Sequence, residues 1–210
     1  MNYVKNEKGT SAFYLLWITG IVLVIFVIVI NIAKVYIIKE QANTAVEQAA
    51  IAGTSVLIEK TKEAIDAFDS SPESLPQKKA DEKTISDQID EKKMEYVSQN
   101  YSDSEAYIRA LNDILPSKLA LYNELKMEFE ARLRDSTSLI YDAAQQVISA
   151  NHGNIDERTE IILSREKWRI EIKATTTFES ISDNKFIAAF IKKIPQKGYG
   201  PSLVYLKEIM

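Results

Sequence analysis

The side chains that most often carry out chemistry in proteins are scarce in this chain. Its 210 residues include one histidine, His152, and no cysteine. A nucleophile–histidine–carboxylate triad would have to use His152, which lies between Asn151 and Gly153 in a predicted turn, so we expect an exposed loop histidine. The missing cysteines exclude a disulfide scaffold and a cysteine-based zinc site, and a single histidine excludes a multi-histidine metal site.

The remaining candidates for chemistry are carboxylate pairs. Two examples, Asp90–Glu91 and Asp156–Glu157, lie in charged stretches, whereas a general acid needs desolvation to raise its pKa. The sequence has no glycine-rich phosphate loop, and its net charge of −4 gives no reason to expect nucleic acid. We therefore predict no catalytic, cofactor-binding or metal site, and a protein that is not an enzyme.

The strongest pattern in the sequence is an apolar run, residues 12–33, that contains no charged side chain. As a helix it would be about 33 Å long, close to the ~30 Å hydrocarbon thickness of a bilayer. Tyr14, Trp17 and Tyr36 lie near its ends, where interfacial aromatic residues are expected. The run is longer than the apolar core of a signal peptide. We therefore predict an uncleaved, single-pass transmembrane helix in the cell membrane.

The orientation of this anchor depends on what flanks it. The charges on the two sides nearly balance, so the positive-inside rule decides little. The tail, residues 1–11, is very short and the chain beyond the span is long. We predict a cytoplasmic N-terminus and an extracytoplasmic C-terminal domain.

The predicted helix continues past the membrane surface as an extension, residues 34–68. Small residues recur there at alternating spacings of three and four, which places them on one narrow face. Small side chains let helices approach closely. The face predicts either a packing interface with a partner helix or a helix that lies on its own domain. Its interface residues are Ala42, Ala45, Ala49, Ala52 and Val56.

A second, mainly helical region is predicted at 84–151, after a proline- and serine-rich linker, 69–83. Ser102 and Glu105 have the spacing of a capping box that begins a helix. Pro116 is predicted to start another helix, and Gly153 to end the last one in a left-handed conformation.

The periodicity changes to that of strands in the last part of the chain, 157–210. Apolar and polar residues alternate over 168–178, and a shorter strand at 159–163 predicts an antiparallel hairpin. We predict a short helix beginning at Ser182 or Asp183, a break at Pro195 and the following glycines, and a last strand over 202–209. Together with the helical region, residues 84–210 would form one extracytoplasmic α+β domain with a small antiparallel sheet and a covering helix.

Two stretches of the sequence also resemble a known family. The first combines Lys8–Gly9, the apolar helix, an Asn-x-x-Lys-x-Tyr element and an alanine-rich helix ending in Gly53; the element is formed by Asn31, Lys34 and Tyr36. The second stretch runs from Ala143 to Ser180 and joins a helix ending in Ala-Asn to two strands. Together they resemble TadE/TadG-like proteins of Tad (Flp) pilus assembly systems.

This resemblance implies a membrane-anchored structural or assembly component of a type IV-related pilus or secretion system. Its implied partners are the membrane and other pilus or secretion assembly proteins, in a homo- or hetero-oligomer. Pilin-like precursors that are cleaved resemble G-x-x-x-x-E, and the place of the glutamate after Gly9 is taken by Tyr14, so we predict no cleavage. The alternative is a membrane-tethered extracytoplasmic sensor or ligand-binding domain.

Overall fold

The computed structural model describes residues 7–134, 136–178 and 192–210, and its fold is α+β. Within these described residues, two short 3₁₀ helices, Pro72–Ser74 and Val204–Glu208, accompany six α-helices and three strands. In chain order these are α1 (Glu7–Ser70), α2 (Leu75–Asp81), α3 (Ile85–Ser98), α4 (Asp103–Leu121), α5 (Asn123–Arg134), α6 (Ser136–Ala150), β1 (Glu160–Ser164), β2 (Arg169–Phe178) and β3 (Lys192–Tyr199).

The fold is organised around α1, a single helix of 64 residues. At ~1.5 Å per residue it is about 96 Å long. Its sequence contains no proline that would interrupt it. The prediction that the apolar run continues without a break into the following domain is confirmed.

The second half of α1 is the central element of the domain. After α4, the chain runs back along α1 towards the apolar run. Tyr122 begins this return beside Phe68, with 6.2 Å between ring centroids, and Asn151 ends it, donating a hydrogen bond of 3.3 Å to Gln48. Phe129 and Ile148 are fully buried along the way. Helices α5 and α6 therefore pack antiparallel to α1.

The three strands form an antiparallel sheet in the order β1-β2-β3. On β2, the alternate residues Ile170, Ile172 and Ala174 are buried, and they cover one side of α1. The predicted hairpin and the predicted inner face of its long strand are confirmed. The predicted helix at 182–191 lies outside the described residues.

The third strand was not predicted. β3 occupies the stretch where Pro195 was expected to break the chain, and Pro195 pairs with Thr175 instead. Proline lacks a backbone N–H but is tolerated in an edge strand, where one side of the strand has no partner strand. Because β3 is at the edge of the sheet, the proline does not prevent pairing.

The stretch 69–83, predicted to be a linker, is folded. It contains the first 3₁₀ helix and α2, and Gln77 is fully buried. The carboxylate of Asp69 accepts hydrogen bonds from the backbone N–H groups of Ile85 (3.2 Å) and Ser86 (2.9 Å). It thereby satisfies two otherwise unpaired donors at the N-terminus of α3. The prolines of the stretch lie in first helical turns, which they favour.

Pro116 does not start a helix, because it lies inside α4. Leu115 and Leu119, on either side of it, are buried. Burial of this apolar face holds α4 continuous, although an interior proline removes one backbone hydrogen bond. The capping box prediction is confirmed in part: the Ser102 side chain accepts a hydrogen bond from the backbone N–H of Glu105.

The C-terminus of α6 and the end of the chain also differ from the predictions. The left-handed residue after α6 is His152 (φ 58°), not Gly153. The N–H of Gly153 donates to the carbonyl of Ile148 at 2.8 Å, and a Cβ on Gly153 would lie 2.6 Å from Ile148 Cγ2. Glycine is therefore needed at position 153 because a side chain there would clash with Ile148, and not because of its backbone conformation. The stretch 202–209 contains the second 3₁₀ helix, Val204–Glu208, instead of a strand, and Leu203, Tyr205 and Leu206 are all buried.

Candidate functional site

The first half of α1 leaves an apolar surface bare. An 18-residue window in it has a mean hydropathy of 2.9, and none of that window is buried. In the described part of the chain, α1 is the one helix long and apolar enough to cross a membrane. Leu16, Trp17 and Phe26 are each more than half exposed. An apolar helix that is exposed all round matches a lipid or protein environment better than water.

The alanine face of α1, formed by Ala42, Ala45, Ala49, Ala52 and Val56, is less exposed than the apolar first half of the helix. Ala42, Ala45 and Ala49 are at most 2% exposed within the chain itself, and Ala52 and Val56 are half-buried. The chain's own domain therefore covers Ala42, Ala45 and Ala49, while Ala52 and Val56 stay partly exposed. The packing interface with a partner helix stays a prediction.

Two glycines, Gly198 and Gly200, allow the edge of the sheet to come very close to α1. A Cβ on Gly198 would lie 2.1 Å from the carbonyl oxygen of Val46, and one on Gly200 would lie 2.2 Å from Thr54 Oγ1. Real Cβ atoms do not come this close to other heavy atoms, so neither position has room for a side chain. Sequence reasoning did not identify these contacts, because it interpreted the stretch that contains the two glycines as a break.

An open groove runs between α1 and the α3–α4 hairpin. Its volume is about 510 Å³, and it is lined by the exposed edge of α1 and by residues of both hairpin helices. The apolar part consists of isoleucines from three helices. They are Ile51, Ile58 and Ile65 of α1, Ile89 of α3 and Ile108 of α4.

Charged groups surround one aromatic ring in this groove. Lys93 forms a 2.8 Å ion pair with Asp103, and its Nζ is 5.8 Å from the centre of the Tyr107 ring. Burial, with Asp90 and Asp66 nearby, raises the pKa of Tyr107 above its usual value. The phenol therefore stays protonated at neutral pH. The groove offers apolar contact, one phenol and charges of both signs, which suits binding rather than proton transfer.

A cluster of tyrosines and one arginine lies where α3 turns into α4. The rings of Tyr96 and Tyr101 meet edge to face with 5.7 Å between centroids, and the Arg109 guanidinium is 4.1 Å from the centre of the Tyr101 ring. Tyr96 donates a 2.5 Å hydrogen bond to Asp113, which raises the pKa of Tyr96. Tyrosine and arginine are frequent anchors of protein interfaces. The pairing of these tyrosines with Arg109 was not predicted from the sequence.

The residues considered first for chemistry are not brought together. His152 is exposed at the end of α6, as predicted. Within residues 7–134, 136–178 and 192–210, no group of three or more histidine, aspartate or glutamate side chains is placed to hold a metal ion.

Comparison with known proteins gives no match: no family model, no curated protein and no solved structure is similar to this chain.

Proposed function

We propose that this chain is a membrane-anchored structural or assembly component of a Tad-like pilus or secretion system. Residues 12–33 span the cell membrane, the N-terminal tail is cytoplasmic and the domain is extracytoplasmic. The protein acts through contacts with other assembly proteins and not through catalysis. The observation that carries the proposal is the continuity of α1, whose bare apolar half and buried half belong to one helix.

This continuity has a mechanical consequence. The buried half of α1 is held by α5, α6 and the sheet, so the domain cannot turn about the span without breaking its own core. A rigid connection of this kind fixes the height and direction of the domain relative to the bilayer. That property is useful to a component whose surfaces must meet neighbours at a set distance from the membrane.

Burial of the alanine face changes which surface would carry these contacts. The exposed candidates are the bare part of α1, the isoleucine groove and the tyrosine cluster. In the groove, Ile51 is 54% exposed, so its side chain is accessible to another protein.

The rigid connection can be tested by insertion. A flexible Gly-Ser segment placed after Glu40, below the buried alanines, uncouples the domain from the span. Seven inserted alanines are the matched control, because about two helical turns keep the connection rigid and nearly preserve its direction. Copurification with assembly proteins and surface filaments should be lost with the flexible insert and reduced less with the rigid one. Equal effects of the two inserts would contradict the proposal.

The orientation in the membrane can be tested by labelling single introduced cysteines, because the chain contains no cysteine of its own. A cysteine in place of Glu73, an exposed residue, should react with an impermeant thiol reagent on intact cells once any cell wall is made permeable. A cysteine in place of Asn2 should react only after lysis. The reverse pattern would show that the domain is cytoplasmic.

A second function, a membrane-tethered sensor or ligand-binding domain, is favoured by the groove alone. Such a domain would keep its ligand affinity with the flexible insert, whereas assembly would fail. Substitution of Ile51 by glutamate tests the groove directly, with glutamate at the exposed Met127 of α5 as the control. Loss of a bound small molecule with unchanged partner copurification would favour the sensor.

A further inference from the structure

One side of α1 stays exposed beyond the apolar run. Over residues 37–55, exposed positions on this side recur at alternating spacings of four and three residues, which places them on one line along the helix. None of them is charged, although Lys39, Glu40 and Glu47 occupy other exposed positions of the same stretch. We call this line the neutral strip. It consists of Ile37, Gln41, Thr44, Gln48, Ile51 and Ser55.

The neutral strip is continuous with the apolar span. The one charged residue on the continued line is Lys34, which lies at the end of the apolar run, where a long lysine side chain can reach the headgroups. A helix that packs against the span along this line would therefore continue onto the neutral strip. With the same spacing, the line runs back from Ile37 through Lys34, Ile30, Val27, Leu23, Gly20 and Leu16.

Two open grooves lie beside the neutral strip, at different levels of α1. The first has a volume of about 560 Å³, and it is lined by Ile37 and Thr44 on α1 and by residues 150–152 at the end of α6. The second is the groove between α1 and the α3–α4 hairpin, which Ile51 and Ser55 line. Another helix can therefore approach α1 at both levels.

The chemistry of the neutral strip suits contact with a second copy of itself. In a parallel pair of helices in register, each residue on the contact line faces the same residue of the partner. A charge on the line would face a like charge, and the strip contains none. Isoleucine packs well on isoleucine, and the amide of Gln41 and the hydroxyl of Thr44 each donate and accept, so each can hydrogen-bond with its own copy.

The proposed anchoring gives two copies the orientation that this contact requires. Both spans cross the bilayer in the same direction, so two α1 helices that meet side by side are parallel. From Leu16 to Ser55 the line is about 60 Å long, and a contact about 10 Å wide, the diameter of a helix, would cover about 600 Å² of each copy. The total of about 1,200 Å² reaches the range of specific, stable protein interfaces.

We propose that two copies of this chain form a parallel dimer in which the neutral strip of one α1 packs on the neutral strip of the other. This inference rests on the proposed membrane anchoring and names one partner within the proposed assembly, a second copy of the chain. The contact lies on a different side of α1 from Ala42, Ala45 and Ala49, which the chain's own domain covers.

Cysteine crosslinking of the full chain in vesicles, at a low ratio of protein to lipid, tests the contact line. Because the chain contains no cysteine, a single introduced cysteine can form a disulfide only with its own copy. Cysteines replacing Gln41, Thr44 and Ile51 should give crosslinked dimers on mild oxidation. Cysteines replacing Tyr36 and Lys39, exposed on other sides of α1, should leave monomers, because a disulfide forms only between close and well-directed positions. Equal crosslinking at all five positions would indicate random collision and overturn the proposal.

A charge exchange at Thr44 tests whether the strip meets its own copy. T44E places two carboxylates face to face, so the ratio of dimer to monomer should fall by roughly tenfold or more. A mixture of T44E and T44K copies should recover the dimer, because each glutamate then faces a lysine. Y36E adds the same charge at an exposed position away from the strip and should keep the dimer.

The readout of the charge exchange is copurification of two differently tagged copies from the vesicles. Equal loss in T44E and Y36E would overturn the proposal, because the charge would then act without regard to the contact line. Failure of T44K to rescue T44E would also overturn it.

The same vesicles separate this inference from the proposed anchoring. Co-flotation of the chain with vesicles after a high-salt wash reports insertion of α1. Inserted protein that stays monomeric would overturn the dimer and leave the anchor intact, and crosslinking of the same cysteines to another protein in cell membranes would then assign the strip to that protein. Failure to co-float would overturn both.

Discussion

The hydroxyl groups of Tyr205 and Thr61 lie 2.7 Å apart in the interior of the domain. Both residues are fully buried. This hydrogen bond joins the last turn of the chain to the middle of α1, and the Tyr205 ring also meets Phe129 edge to face at 6.2 Å. Burial raises the pKa of Tyr205 well above its usual value, so the phenol stays neutral and can donate.

Removing one hydroxyl of this pair should destabilise the domain. In Y205F the Thr61 hydroxyl loses its partner in a dry environment, and we expect a cost of about 1–2 kcal/mol. The measurement is denaturant unfolding of the full chain in micelles, followed by circular dichroism. T61V/Y205F should cost less than the sum of the two single variants, because both ends of the bond are then removed. Strict additivity would mean that the pair contributes nothing beyond packing.

The contact between Gly198 and Val46 predicts a sharp effect of a single methyl group. Alanine at 198 would place its Cβ 2.1 Å from a backbone oxygen, so the strand must move away from α1. We expect a loss of about 1–3 kcal/mol, as for other overpacked sites. G20A is the control, because nothing lies within 4 Å of a Cβ at that position. Thermal unfolding of both variants checks the difference.

The buried alanines predict that folding and partner binding are lost together. Leucine at Ala45 or Ala49 adds volume inside the domain and should cost about 1–3 kcal/mol per site. T44L, one position away on an exposed side of α1, should be mild. The expression level in membranes, protease resistance and copurified partners should all fall in the first two variants. Normal stability with lost partners would show that the alanine face opens to bind another protein.

Comparison of the predicted elements with the folded chain indicates which parts of the fold can be predicted from the sequence. The continuity of α1 and the inner face of β2 depend on long periodic patterns, and both were predicted. Pro116 was interpreted as the start of a helix and Pro195 as a break, because the local conformational preference of proline is strong. In the folded chain Pro116 is kept in a helix by buried leucines, and Pro195 is accepted at a sheet edge.

The errors at residues 69–83 and 202–209 share a cause. Each stretch is short, and its conformation is set by distant partners: Asp69 by the start of α3, and Tyr205 by Thr61. The same limit applies to the candidate site. The alanine periodicity was visible in the sequence, but the chain segments that cover α1 come from far along the chain, as Gly198 against Val46 shows, so the sequence left both alternatives for the alanine face open.

The hydrogen bonds around the Asp81 carboxylate predict that the stability of the domain depends on pH. Its carboxylate accepts a 2.6 Å hydrogen bond from Lys118, with further bonds from Gln77 and Gln88, and these lower the pKa of Asp81 in the folded chain. The folded state therefore favours the ionised form. This stabilisation is complete above the ordinary pKa of aspartate, near 4, and is lost as the pH falls through the lower folded value. Relative to wild type, D81N should be less stable at neutral pH, and the gap should close in acid.

The inner face of β2 provides the most direct test of the domain. Ile170 is 1% exposed between the sheet and α1, and a Cβ on Gly53 would lie 3.4 Å from its Cγ2. I170D buries an unpaired charge there and should unfold the domain, since such a charge costs several kcal/mol or must be neutralised. I162D is the control, because Ile162 is 48% exposed on β1 and the same substitution leaves its charge in water. The readout is protease resistance of the domain in membranes, alongside retention of α1 in the membrane after a high-salt wash. We expect I170D to be digested down to its anchor and I162D to resist like the wild type; equal resistance would mean that the sheet does not pack on α1.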